Sequence, residues 1–206
     1  MDNAENTEQK ILHAAMNIFV KKGRYGAKMQ EIADAAGINK AMLHYYFRSK
    51  DKLYSRVFEN LFAGIFGSLH GIFEAEGTFP DKLTRFIEQY TSLISQNQQI
   101  PLFIMRELSE GAAEITPVIH KIFSENKFNL PFAFIQAIQS AIQKGEIRKV
   151  NPRQLFITIV GSVAFFFISE PLLSVFFKRD TSYQREAFIE ERKKAVADII
   201  FNGIKP

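Results

Sequence analysis

Cysteine is missing from all 206 residues. Its absence excludes disulfides, thiolate metal sites and cysteine nucleophiles, and it is compatible with a reduced, cytoplasmic home. Histidine is sparse. The four imidazoles are scattered, and no Glu-x-x-His motif is present to build a di-metal site. Residues 1–10 are polar and lack the apolar stretch of a secretory leader, so no leader is expected. Gly23 and Gly26 bracket a turn, but no strand precedes them, as a dinucleotide or phosphate loop requires. No nucleophile–base arrangement stands out. The expectation is a chain that is not an enzyme and holds no cofactor and no metal. Valine and threonine are few and no alternating strand pattern appears. What remains is a helical, globular chain, 47% hydrophobic, with enough length for one or two domains.

The charge is unevenly placed. The net charge is +4, and residues 1–56 carry ten Lys/Arg against six Asp/Glu, whereas residues 57–206 carry sixteen of each. Within residues 21–56 the count is nine basic against three acidic. A compact basic module on a neutral body is the footprint of a polyanion binder. From charge alone, a solvated basic face is an equal alternative.

Helical periodicity runs through almost the whole chain. Ile11, Ala15, Ile18 and Phe19 form one apolar stripe. Asn6 or Thr7 is expected to cap that helix, and Gly23 to end it after Lys21 and Lys22. Short helices are predicted over 29–35, broken by Gly37, and over 40–46, capped by Asn39. Ser49 caps a longer fourth helix through Leu53, Val57 and Leu61. Farther on, Gly77, Pro80, Pro101, Pro117, Lys144-Gly145, Asn151-Pro152 and Asn202-Gly203 punctuate the chain, with a polar loop at 178–183. The total is about nine helices.

Residues 155–177 are almost wholly apolar. Glu170 and Pro171 are expected to interrupt them, leaving a run of 14 residues at 155–168, about 21 Å of helix against a hydrocarbon core of about 30 Å. A buried core or subunit-interface helix is favoured over a membrane span, and no membrane partner is expected.

The most informative segment is residues 30–50. Ala33 is small where two helices must touch, Gly37 permits a tight turn, and Ile38, Leu43 and Phe47 plug the space between them. Lys40 and His44 share a different face of the third helix, free to enter a major groove. Ile32-Ala33, Ala36-Gly37-Ile38, Leu43-His44-Tyr45-Tyr46-Phe47, Lys50 and Leu53 together closely resemble the tetracycline-repressor (TetR) family of bacterial regulators. The match covers about residues 7–60.

The resemblance implies an all-α fold. A three-helix, homeodomain-like helix-turn-helix domain at residues 1–52 precedes a helical effector-binding and dimerisation domain at 53–206. It implies a cytoplasmic homodimer that binds a double-stranded DNA operator and a small-molecule effector. The regulator is expected to be a repressor released from a palindromic operator by a small apolar or aromatic effector, with an activator or ligand-independent regulator on the same fold as the alternative, and a helical lipid-binding protein or enzyme as a more distant one. It places Gln30, Lys40, Ala41, Met42 and His44 toward bases, and Lys28, Tyr45, Tyr46 and Lys50 toward phosphates. Two departures stand out. Ala27-Lys28 replaces the usual Ser or Thr at the start of the second helix, and His44 sits where Tyr is common.

Beyond residue 60 the readings are broader. Phe62, Phe66, Phe86, Tyr90, Phe103, Phe123 and Phe166 are candidates to line an apolar pocket, with Arg106 or His120 as polar anchor, and a solid aromatic core is the alternative. Glu107, Glu110 and Glu114 read as a solvated acidic face. The last two long helices, about 152–168 and 185–202, are the expected dimer surface, with Phe156, Ile159, Phe188, Arg192, Val196 and Ile199 as candidates.

Overall fold

The computed structural model describes residues 2–125, 130–177 and 183–206. These residues form ten helices and no strand: α1 (Asp2–Gly26), α2 (Met29–Ala35), α3 (Lys40–Tyr46), α4 (Lys50–Leu69), α5 (Phe79–Gln96), α6 (Gln99–Ser109), α7 (Ile115–Ser124), α8 (Leu130–Gln143), α9 (Pro152–Phe177) and α10 (Arg185–Ile204). The extra helix comes from the stretch between Pro117 and Lys144, which contributes to both α7 and α8. The predicted loop at 178–183 lies, apart from Tyr183, outside the described residues.

Packing groups the chain into two compact units. One comprises Met1–Gly64 with Leu102–Lys127, the other Ile65–Pro101 with Phe128–Pro206, so each unit is built from two separate stretches. In the first, α1 buries Ile11, Ala15 and Phe19 completely, along its apolar stripe. The helix starts at Asp2, so Asn6 and Thr7 lie inside it and not at its cap; Glu8, Gln9 and Lys10 are good helix formers that let it extend backward. Gly23 breaks it as expected, with φ of +69° and ψ of 174°. An aromatic ladder fills the interior. Phe19 meets the Tyr54 ring edge-on at 4.7 Å, Tyr54 meets Phe58 at 5.2 Å, and Phe58 stacks on Phe103 at 4.4 Å.

The second unit is organised on α5, which packs against α8, α9 and α10. Thr78 and Asp81 form a reciprocal capping box, and Pro80 occupies the first turn. The inward stripe of α5 includes Leu83, Phe86, Ile87 and Tyr90, all buried. Gly145 takes φ of +71° just past α8. Asn151 caps α9, its Oδ1 accepting from the Arg153 N–H at 3.0 Å. α10 continues through Asn202 and Gly203 to Ile204, slightly beyond the expected stop.

The interruption expected at Glu170 and Pro171 does not occur. α9 runs for 26 residues with Pro171 inside it. The Ser169 hydroxyl donates to the Phe165 carbonyl at 2.6 Å, one turn before the proline, and the Arg185 guanidinium neutralises Glu170, with Nη2 to Oε2 at 3.0 Å. The helix is thus long and apolar enough to cross a membrane by length and composition. It is not a buried core helix either: only 28% of its apolar window is covered by the chain, leaving Ile157, Phe165, Leu172, Val175 and Phe176 exposed.

Candidate nucleic-acid interface

The helix-turn-helix is built by short-range chemistry. Gly37 adopts φ of +69°, and the next residue, Ile38, donates its N–H to the Ala33 carbonyl at 3.0 Å, closing the turn. Ile32, Ala33 and Leu43 are fully buried and Phe47 nearly so, while Ile38 is half-buried. Asn39 starts α3, its Oδ1 accepting from the Met42 N–H at 2.7 Å. Ser49 starts α4 likewise, its hydroxyl accepting from the Lys52 N–H at 3.2 Å.

With Leu43 pointing inward, Lys40, Ala41, Met42 and His44 are left on the exposed side of α3. Gln30 is exposed on α2, and its Nε2 donates to Asp34 Oδ1 at 2.8 Å. An ionised carboxylate only accepts, so this contact turns the amide NH2 of Gln30 toward Asp34 and leaves its oxygen free. Lys28 is exposed at the N-cap of α2 and supplies no side-chain cap, as its replacement of Ser or Thr requires. Tyr45 is 72% exposed, so packing does not hold it. Tyr46 is half-buried, its ring edge-on to Tyr45 at 5.7 Å.

Lys50 is already engaged. Its ammonium donates to the Tyr25 and Ala27 carbonyls at 3.3 and 3.2 Å, bracing the turn between α1 and α2. On α2, the Lys22 ammonium at 2.8 Å holds the Glu31 carboxyl below the usual carboxylate range.

Of the acidic residues 107, 110 and 114, Glu110 is exposed as a solvated face requires, but Glu107 and Glu114 are not part of one. Glu107 is 3% exposed and accepts from the Tyr54 hydroxyl at 2.8 Å and from the Glu114 N–H at 3.0 Å. Burial first, then this hydrogen bond, pushes the Tyr54 phenol far above its ordinary value. Glu114 pairs with Arg24, which also reaches Asp51 at 3.1 Å, and accepts from the Ser55 hydroxyl at 2.9 Å. Arg106 donates to the Val20 carbonyl at 3.3 Å and lies against Gly23, where an added Cβ would stand 2.6 Å from its Nη2. This network ties α6 and the start of α7 to the end of α1 and the first turns of α4. No sequence pattern announced it, because its members are up to 90 residues apart.

The nine pocket candidates divide between the two units. Phe62, Phe103, Arg106, His120 and Phe123 belong to the first unit; Phe66, Phe86, Tyr90 and Phe166 belong to the second. Phe103 sits in the aromatic ladder. Phe86 packs 5.3 Å from Phe73 and 5.9 Å from Tyr90, and burial pushes the Tyr90 phenol up to about 12. Phe166 stacks on Phe188 at 5.2 Å. His120 and Phe123 are exposed.

Among the dimer candidates, Ile159 and Val196 are buried within the chain's own second unit, at 0% and 6% exposure, so a partner cannot reach them. Phe156 is half-buried against Phe134 at 5.2 Å, and Phe188 and Arg192 are half-buried beside Phe166. Ile199 is 69% exposed.

Comparison with known proteins bears on this geometry. The pattern of bacterial regulatory proteins of the tetR family matches residues 11–57. The transcriptional repressor NicS of Pseudomonas putida is 25% identical over 174 residues, covering 81% of this chain and 77% of NicS. The transcriptional activator FasR of Mycolicibacterium smegmatis is 42% identical over 59 residues, 27% of each chain. The fold is shared with the regulator FadR of Bacillus subtilis, solved in complex with stearoyl-CoA, at a TM-score of 0.69 and 19% identity, covering 95% of this chain and 98% of that one. A reading head that matches the tetR family of bacterial regulatory proteins over residues 11–57, a similar transcriptional repressor aligned along most of the chain and a common all-helical fold agree: the chain is similar to tetR-family regulators and is a DNA-binding, helix-turn-helix regulator of transcription.

Proposed function

We propose that the chain is a cytoplasmic, homodimeric repressor that leaves a palindromic operator when an apolar small molecule binds its helical body. The observation that carries the DNA part is the division of α3 into a buried plug, Leu43, and an exposed side made of Lys40, Ala41, Met42 and His44. In this reading residues 1–52 form the DNA-binding part. Gln30, Lys40, Ala41, Met42 and His44 face bases, and Lys28, Tyr45, Tyr46 and Lys50 face phosphates. The bidentate reach of Lys40 toward guanine O6/N7 suits the major groove, and the oxygen that Gln30 leaves free suits an exocyclic base amine.

Two-fold symmetry presents two such heads to half-sites about one helical turn, roughly 34–36 Å, apart. The exposed apolar stripe of α9, with Ile199 on α10, supports a second copy over lipid as its cover. The effector reading rests on a chain with 21 phenylalanines and on the stearoyl-CoA that the B. subtilis FadR protein binds. Residues 53–206 would hold such a ligand, with the phenylalanines named above as candidates for its contacts. That NicS is a repressor and FasR an activator makes the sign of regulation an outcome to measure.

The test is to select binding sites from random DNA and measure affinity for the best site over a range of salt. The expected outcome is a palindrome, with log affinity falling linearly in log salt at a slope of about −0.9 per neutralised phosphate. Selected sites without two-fold symmetry, or an affinity indifferent to salt, would refute it.

A further inference from the structure

Nine basic residues lie within 21–56, and they are not equally free. Lys22 pairs with Glu31, Arg24 with Asp51 and Glu114, and Arg56 with Glu8 and Glu59. Lys50 turns its ammonium to the Tyr25 and Ala27 carbonyls. A cation whose charge is already met within the protein adds little to the field that draws in a phosphate, so affinity for DNA and its fall with salt rest on the cations that remain. Among the described residues these are Lys21, Lys28, Lys40, Arg48 and Lys52, which make no ion pair and no side-chain hydrogen bond. Lys28 and Lys40 have their places in the reading above. Lys21 stands on α1, outside the helix-turn-helix. Lys52 lines a groove with Glu8, Asp51 and Glu59, whose carboxylates oppose a phosphate. Arg48 is exposed and stands in the turn between α3 and α4.

We propose that Arg48 is a phosphate anchor of the reading head, its guanidinium gripping the DNA backbone where α3 leaves the major groove. The inference rests on the orientation of α3 proposed above. A recognition helix touches base edges with its N-terminal residues, and its C-terminal end lies against the sugar–phosphate chain. α3 ends at Tyr46, and Arg48 follows directly after the Phe47 plug. The backbone that carries Arg48 is held on both sides. The Phe47 N–H donates to the Leu43 carbonyl at 2.8 Å, and the Ser49 carbonyl accepts the Leu53 N–H at 3.1 Å. A side chain that starts from a fixed point loses less freedom on binding. Its planar guanidinium presents two parallel N–H donors to two phosphate oxygens, a fork that an ammonium lacks. Lys50 has two carbonyls to serve as well, whereas every donor of Arg48 is open to the DNA. Phosphates are the same in every sequence, so the contact sets register and affinity and not the choice of base.

The test uses the full-length chain, the duplex selected from random DNA and a scrambled duplex. Affinity is measured over a range of salt, with melting temperature to establish folding. Arg48→Ala is expected to bind both duplexes about tenfold or more weakly, as the loss of a charge-assisted hydrogen bond implies. Its slope of log affinity against log salt is expected to flatten by about 0.9 for each subunit bound. Arg48→Lys is expected to keep the slope and regain only part of the affinity. Lys52→Ala is expected to leave both unchanged. Replacing single phosphates of the selected duplex by neutral methylphosphonates locates the contact: at one position in each half-site the replacement is expected to weaken the wild type but not Arg48→Ala. A folded Arg48→Ala with the wild-type slope, a Lys52→Ala that flattens it equally, or no methylphosphonate position that separates Arg48→Ala from the wild type would overturn the anchor. An Arg48→Ala that selects a different base would do the same. A Lys40→Ala that loses equally on both duplexes would instead overturn the orientation of α3 on which the anchor rests.

Discussion

Gly23 shows what one hydrogen atom in place of a side chain permits. Its φ of +69° is strained for any other residue, and an added Cβ would fall 2.6 Å from the Arg106 guanidinium. Gly23→Ala is therefore expected to destabilise the chain by more than about 1 kcal/mol, read as a lower melting temperature, and to loosen the turn leading into α2. At the reading head the expected outcomes differ by residue. Lys40→Ala is expected to cost about 1–3 kcal/mol on the selected site and to relax one base position, with little change on random DNA. Tyr45→Ala is expected to weaken all sequences alike, because a 72% exposed phenol on the rim of α3 suits the backbone, which every sequence shares. Quantitative binding to the selected site and to scrambled duplex separates the two. Lys50 is already bonded to the Tyr25 and Ala27 carbonyls, so its replacement is expected to loosen the turn between α1 and α2 as well.

At the scale of single elements, the capping box of α5 gives a pH-dependent prediction. The Thr78 hydroxyl, then its N–H, holds the Asp81 carboxyl below its ordinary value of 3.8. A lowered folded-state value contributes stability above the unfolded value, and that stability disappears as pH falls through the folded one. Thr78→Ala is expected to cost about 1 kcal/mol at neutral pH, as a lost N-cap does. The difference in melting temperature between wild type and variant is then expected to narrow once the pH drops well below 3.8. A gap that stays constant through acid would remove Asp81 from the box.

Elements also show where the sequence was legible. α2 and α3 were readable to the residue, because Gly37, Asn39 and the Ile32–Ala33–Leu43 plug act within a dozen positions of one another. α9 was misjudged because Glu170 and Pro171 break helices by local rules. What offsets the charge of Glu170, its pair with Arg185, becomes visible only when α10 is in place. The acidic residues 107 and 114 were misjudged for the same reason: Tyr54 and Arg24 are remote in sequence. The exposed side of α3 follows from helix periodicity alone, whereas the lining of any pocket depends on how helices far apart in sequence pack.

For the whole molecule, regulation is a question of linkage between two binding events. If an effector prefers the arrangement of the two heads that does not fit the operator, it weakens DNA binding by its difference in affinity for the two arrangements and by no more. Operator DNA must then weaken effector binding by the same factor. A coupling of about 1–3 kcal/mol, or roughly 5–150-fold, is the ordinary range. Apolar compounds, long-chain acyl thioesters among them, can be screened by the melting temperature they confer, since any ligand of the folded state raises it. The expected result is a compound whose dissociation constant rises with saturating operator by the factor by which it raises the operator's own. A compound that binds the folded chain with the same affinity whether or not the operator is present would show that its site does not control release. A compound that binds more tightly with operator present would make this chain a ligand-assisted binder, reversing the proposed direction of control while leaving the DNA-reading head as described.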